Sequence, residues 1–194
     1  MSETFLNTVD TARVDELMNE METAVQYFNN IALNTANKYT ADLDGLMDDL
    51  YKVVTQPNDV ETITLERYYL ELTNLLYFMV NKVEQLNVYA DLAKAQAKEV
   101  YNKNYLFNSS KEVVDKSKKM TVAELTATAE ENAKYESTLE TVYKSAYSIA
   151  KSKVNAGFEM VNTMRKILSI RQTEMQLDLT PGMHRELPEG GDNF

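Results

Sequence analysis

From Leu65 to Val100, apolar side chains recur at alternating steps of four and three residues without a slip. They are Leu65, Tyr69, Leu72, Leu76, Met79, Val83, Leu86, Ala90, Ala93, Ala97 and Val100. More than five heptads of this pattern mark a coiled-coil-like seam rather than an ordinary globular helix. The seam passes from large residues to alanine along its length, and small seam residues let helices approach closely. No Gly or Pro stands between Pro57 and Gly157 to punctuate a helix. With 5 Gly and 3 Pro among 194 residues, an all-β chain of tight turns is excluded, and with 44% apolar residues so is a wholly disordered one.

Three helical segments follow from the spacing. The first, about Asp10 to Val54, places Val14, Met18, Met21, Val25, Phe28, Ala32, Tyr39, Leu43, Leu46, Leu50 and Val53 on one face. Gly45 and Asn34–Asn37 are its weak points. The second runs from about Glu61 to Asn104. The third opens at Thr121-Val-Ala-Glu124, a capping box in which the Thr and Glu side chains satisfy free amides of the first turn, and continues to about Leu177. Breaks are read at Gln56-Pro57-Asn58-Asp59 and over Asn102–Lys119. The predicted fold is all-α, with long antiparallel helices in a coiled-coil-like hairpin or bundle. An acidic helical segment (1–58) precedes the hairpin (59–178), and a flexible acidic tail (179–194) follows it. At about 1.5 Å per residue the second and third segments reach roughly 65 and 85 Å. The surplus seam surface predicts a homo-oligomer.

The chemistry available is narrow. Cysteine is absent and the single histidine, His184, lies in the Pro/Gly-flanked tail, which leaves no Cys–His or Ser–His arrangement on the helices. There is no Glu-x-x-His pair for a di-iron bundle and no Gly-rich phosphate loop. Asp42-Leu-Asp44-Gly45 does not continue into a calcium loop. Asp42, Asp44, Asp48 and Asp49 read as a solvated helix face. No enzymatic activity, cofactor or metal is expected. The first twenty residues carry six charges and no apolar core of a signal peptide, and Glu71, Lys82 and Glu84 cut the most apolar stretch, Leu70–Val88. The expectation is a cytoplasmic protein without a membrane partner.

The net charge is −10, the wrong sign for a general coat on nucleic acid. The charge is unevenly spread. Residues 1–60 hold 11 acidic groups against 3 basic ones, whereas 141–171 holds Lys144, Lys151, Lys153, Arg165, Lys166 and Arg171 against Glu159 alone. A second basic window begins at Tyr101. There Tyr101, Tyr105 and Phe107 surround Lys103 and lead into Lys111, Lys116, Lys118 and Lys119. Cations that track phosphates beside rings that stack on bases are the elements of a single-strand grip. These two windows are the candidate nucleic-acid-binding residues. The tail ends Asp192-Asn193-Phe194 and resembles, in miniature, the acidic Phe-terminated tails of bacterial and phage single-strand-binding proteins. That likeness makes Asp192 and Phe194 candidates for docking on a partner.

The Leu65–Tyr105 helix ends in Ala93-Lys-Ala-Gln-Ala-Lys-Glu-Val-Tyr-Asn-Lys-Asn-Tyr105. In the long helix from Thr121, Gly157-Phe158 precedes Met164-Arg165 and Ile170-Arg171. Together these resemble the UvsY-type recombination mediators of tailed phages. The resemblance implies a small helical protein that assembles into rings and helps a recombinase load on single-stranded DNA covered by single-strand-binding protein. Residues 1–58 lie outside it. The functional expectation is a non-enzymatic, phage-type accessory protein of DNA recombination or replication, with single-stranded DNA, its coating protein or a recombinase as partner. The alternatives are a phage scaffold or virion protein that partners capsid components, and an acidic mimic of nucleic acid that inhibits a host protein through Asp42, Asp44, Asp48 and Asp49.

Overall fold

The computed structural model describes residues 11–56, 60–114 and 120–178, with side chains over 13–56, 60–110 and 120–177. Those residues form four helices: α1 (Thr11–Thr55), α2 (Thr62–Val114), α3 (Val122–Asn132) and α4 (Lys134–Asp178). No strand occurs among them.

The α2 seam is what the bundle closes on. Leu65, Leu72, Leu76, Met79, Val83, Leu86, Ala90, Ala93 and Ala97 are all buried, so the sequence period becomes a packed face. α4 supplies Val142, Ala146, Ala150, Val154, Val161 and Met164 to the same core, and α1 supplies Ala32, Ala36, Leu43 and Leu50. At about 1.5–3 kcal/mol for each buried Leu, Val or Met, this shared core is the main source of cohesion. The ion pairs are mostly exposed and each is worth about 0–1 kcal/mol.

Chain direction follows from the contacts. Arg171 bonds Thr62, Arg165 bonds Tyr69, Tyr147 bonds Glu84, and the Tyr143 ring lies against Tyr89. As α4 numbers fall α2 numbers rise, so the two helices are antiparallel. Lys153 reaches Asn37, Thr40 and Asp44 of α1, while Val142 shares a groove with Phe28. α1 and α4 therefore run in the same direction. The result is an up-down-up arrangement of three long helices, with α3 laid on the distal part of α2.

Two boundaries differ from the sequence reading. The break expected from Asn102 is helix: α2 continues to Val114. Asn104 donates to the Val100 carbonyl, Ser109 to Leu106 and Ser110 to Phe107, so these polar side chains bond back onto the helix instead of opening it. The third segment is not one helix. Its capping box forms as expected, with the Glu124 amide bonded to Thr121 Oγ1 and the Thr121 amide to Glu124 Oε2. The helix then loosens at Ala133, whose ψ of 1° departs from the helical value while its N–H still reaches the Ala129 carbonyl.

α1 is continuous through both Gly45 and Asn34–Asn37. Its second half is packed and its first half is not. Every residue from Arg13 to Asn30 is exposed, including Val14, Met18, Met21, Val25 and Phe28 of the predicted face.

Candidate nucleic-acid interface

The basic window of α4 divides once it is wound into a helix. Lys144, Lys151, Phe158 and Arg165 follow one another at seven-residue steps, which keeps them on one side of the helix. They line the boundary with α2 over about 32 Å. Lys144 pairs with Glu140 at 2.6 Å. Lys151 lies 3.1 Å from the Tyr147 hydroxyl, which itself donates to Glu84 at 2.8 Å. The Tyr147 hydroxyl beside it, with Glu84 behind, holds the Lys151 ammonium above the ordinary lysine range. Arg165 donates to the Tyr69 hydroxyl. Phe158 is exposed between them at the edge of a small cleft of ≈ 120 Å³ that Lys151 also lines.

The other members of that window point elsewhere. Lys153 is turned toward α1, 2.9 Å from Asn37 Oδ1 and 2.6 Å from Asp44 Oδ2, beside the fully buried Thr40. Its charge is spent inside the molecule, so it is a packing residue and not part of an open basic face. Arg171 donates to Thr62 and fastens the end of α4 to the start of α2. Lys166 is exposed, one residue round from Arg165.

The α2 window also rearranges. Tyr101 and Tyr105 stack on each other, with ring centroids 6.2 Å apart and planes 19° from parallel. Lys103, two residues from each, cannot share their side of the helix, and it pairs with Glu99, whose carboxyl it holds below the usual range. The cations that do share the side are Lys94 and Lys98, at i, i+4, i+7 and i+11 with the two tyrosines. Both are exposed. Glu84, Asp91, Lys98 and Tyr105 also follow at seven-residue steps, so the side of α2 that meets Lys151 is the side that carries Lys98 and Tyr105. The two windows thus join into one track along α2, bordered by α4 up to about Lys98 and by α3 beyond it, with Glu84 and Asp91 interspersed. From Arg165 opposite Tyr69 to Tyr105 it covers about 54 Å.

The side chain of Lys111, and Lys116, Lys118 and Lys119 entirely, lie outside the described residues, as do Asp192, Phe194 and His184. Sequence reading missed Lys94, Lys98 and Phe158. The seven-residue step from Lys144 to Arg165 was the available signal for Phe158. For the lysines it was the extension of the Tyr101–Tyr105 side by one turn toward the N-terminus. Of the acidic run, Asp42, Asp48 and Asp49 are exposed as expected, and Asp44 is engaged by Lys153. Among the described residues no group of three or more His, Cys, Asp or Glu side chains is placed to hold a metal ion, and no helix is long and apolar enough to cross a membrane. No family model, curated protein or solved structure matches this chain.

Proposed function

We propose that this chain is a non-enzymatic accessory protein of phage-type DNA recombination or replication that engages single-stranded DNA along the side of α2 that borders α4 and α3. The observation that carries the reading is the stacked Tyr101–Tyr105 pair, set on the same side of α2 as Lys94 and Lys98. The two rings are half-buried, and the ring surface left open offers a face on which bases stack whatever their identity, while neighbouring cations hold the backbone. The Lys144, Lys151, Phe158 and Arg165 stripe extends the same chemistry. The interspersed carboxylates hold the affinity down, which suits a protein that hands a strand on.

Fluorescence anisotropy of labelled single- and double-stranded oligonucleotides tests this. Single strands bind preferentially, and the affinity falls with salt at a log–log slope of about −0.7 per phosphate contacted. Replacing Tyr101 and Tyr105 by Ala weakens binding by about 1–3 kcal/mol per lost stack. Absence of binding at low salt rejects the reading. The uncovered first half of α1 favours a second one, a virion or scaffold assembly protein. That protein would bind no oligonucleotide and would co-assemble with a shell protein.

A further inference from the structure

The apolar face of α1 is one continuous stripe, and only its second half is covered. From Ala32 onward it packs on α2 and α4. From Val14 to Phe28, about 21 Å of helix, it is exposed, Met18 and Met21 at 63% and 67%, and only Val25 and Phe28 edge clefts shared with the first turns of α4. The reason is local. α4 accompanies α1 only up to its own first turns, and beyond Ala133 the chain turns its packing to α2, with little contact between α3 and α1. A groove of ≈ 620 Å³ opens at the divergence, floored by Phe28, Ile31, Tyr135 and Leu139 and rimmed by Glu131 and Lys134. The exposed α1 stripe leads straight into it.

The walls carry one dominant charge. α1 brings Asp15, Glu20 and Glu22 against Arg13, and α3 brings Glu131 to the groove. The cation on the rim, Lys134, is paired with Glu131.

From this we infer that the α1 face and its groove form a docking surface for a basic amphipathic helix of another protein. The helix lies along α1 with its apolar stripe on Met18, Met21 and Phe28 and its Lys or Arg flanks against the α1 and α3 carboxylates. The recognition is helix-in-groove. It continues the α1–α4 interface with a partner helix in the place α4 leaves. A second copy of α1 is a poor occupant, because its flanks are acidic too and like charges across a helix pair repel. The surface is separate from the Tyr101–Tyr105 track, so it stands or falls independently of single-strand binding.

The probe is a labelled synthetic helix of about 21 residues, six turns to span the four-turn stripe and the groove it leads into, with leucine at a and d positions and lysine on the flanks. A control carries the same seam with glutamate flanks. Anisotropy is read against the full chain at low and moderate salt, and light scattering gives the oligomeric state. The lysine peptide binds, the glutamate peptide binds at least tenfold more weakly, and salt narrows the gap. Met21→Asp, at an exposed position that leaves the core untouched, and the paired change Glu20→Lys with Glu22→Lys each weaken the lysine peptide at least tenfold, while circular dichroism stays unchanged. Equal binding of the two peptides, or binding of neither, overturns the proposal. So does a wild-type oligomer that Met21→Asp converts to monomer, which would assign the face to a second copy.

Discussion

The two halves of α1 carry the same pattern and meet different fates. Val14, Met18, Met21, Val25 and Phe28 are spaced as regularly as the positions that follow, yet they lie in solvent, while Ala32, Ala36, Leu43 and Leu50 are buried. Periodicity fixes which side of a helix is apolar and says nothing about what covers it. The cover comes from α2 and α4, and α4 withdraws at Ala133, where no Gly or Pro warns of it. The packed half also has residues that fix its position. Lys153 is held by Asn37 and Asp44 beside buried Thr40, and Gly157 lets Leu43 of α1 and Leu76 of α2 close on α4. A coiled-coil-like stripe is thus a requirement for burial that the chain meets over part of its length and leaves open over the rest.

The largest expected effect separates the halves directly. Leu43→Ala removes a side chain that is fully buried and should cost about 3 kcal/mol, lowering the melting temperature by roughly 6–12 °C in a chain of this size. Met21→Ala, on the same helix face, should stay within about 0.5 kcal/mol of wild type. Equal losses in thermal melts would mean that the first half of α1 is covered in solution.

A sharper version uses one substitution at two glycines. A β-carbon at Gly157 would sit 2.7 Å from Leu76 Cδ2 and 3.4 Å from Leu43 Cδ1, whereas at Gly45 nothing lies within 4 Å. Gly157→Ala should destabilise by about 1 kcal/mol, the crowding outweighing the gain in helix propensity. Gly45→Ala should stabilise by about 0.5–1 kcal/mol. Chemical denaturation of both variants checks that the signs are opposite.

The most local effect concerns α3, the element whose attachment to α2 leaves α1 alone. Thr121→Ala removes the cap and should cost about 1 kcal/mol, read as faster amide exchange confined to α3. The Thr121 amide, then its hydroxyl, holds the Glu124 carboxyl below the usual range. A lowered folded pKa stabilises above the ordinary glutamate value and is lost as pH falls through it. Protection of α3 should therefore decline on acidification, and a Glu124→Gln variant should flatten that decline.

The α2 seam and the capping box at Thr121 were legible in the sequence because each is a local rule that tertiary context upheld. The extension of α2 past Asn102 was not. Asn104, Ser109 and Ser110 read as breakers by residue type, but in a helix already anchored by the seam they bond to the preceding turn. Of the basic residues on α4, sequence identified the window but not the sides. Only the register against α1 shows that Lys153 is consumed, and only the register against α2 sets Lys98 and Tyr105 on the side that meets Lys151.

The number of long helices is odd, and that sets where the described chain begins and ends. α1 starts beyond the α3–α4 junction, which lies beside Tyr27–Ile31, and α4 finishes at the opposite extremity, near the start of α2. A hairpin, or a four-helix up-down bundle, would bring the two points together. Here α4 alone, with 45 residues, keeps them more than about 65 Å apart, over twice the diameter of a small domain. Anything gripped by the first turns of α1 and anything held at the last turns of α4 are therefore kept from touching through a single compact intermediary. The molecule is a strut, and its span is a property that can be shortened or lengthened in whole heptads.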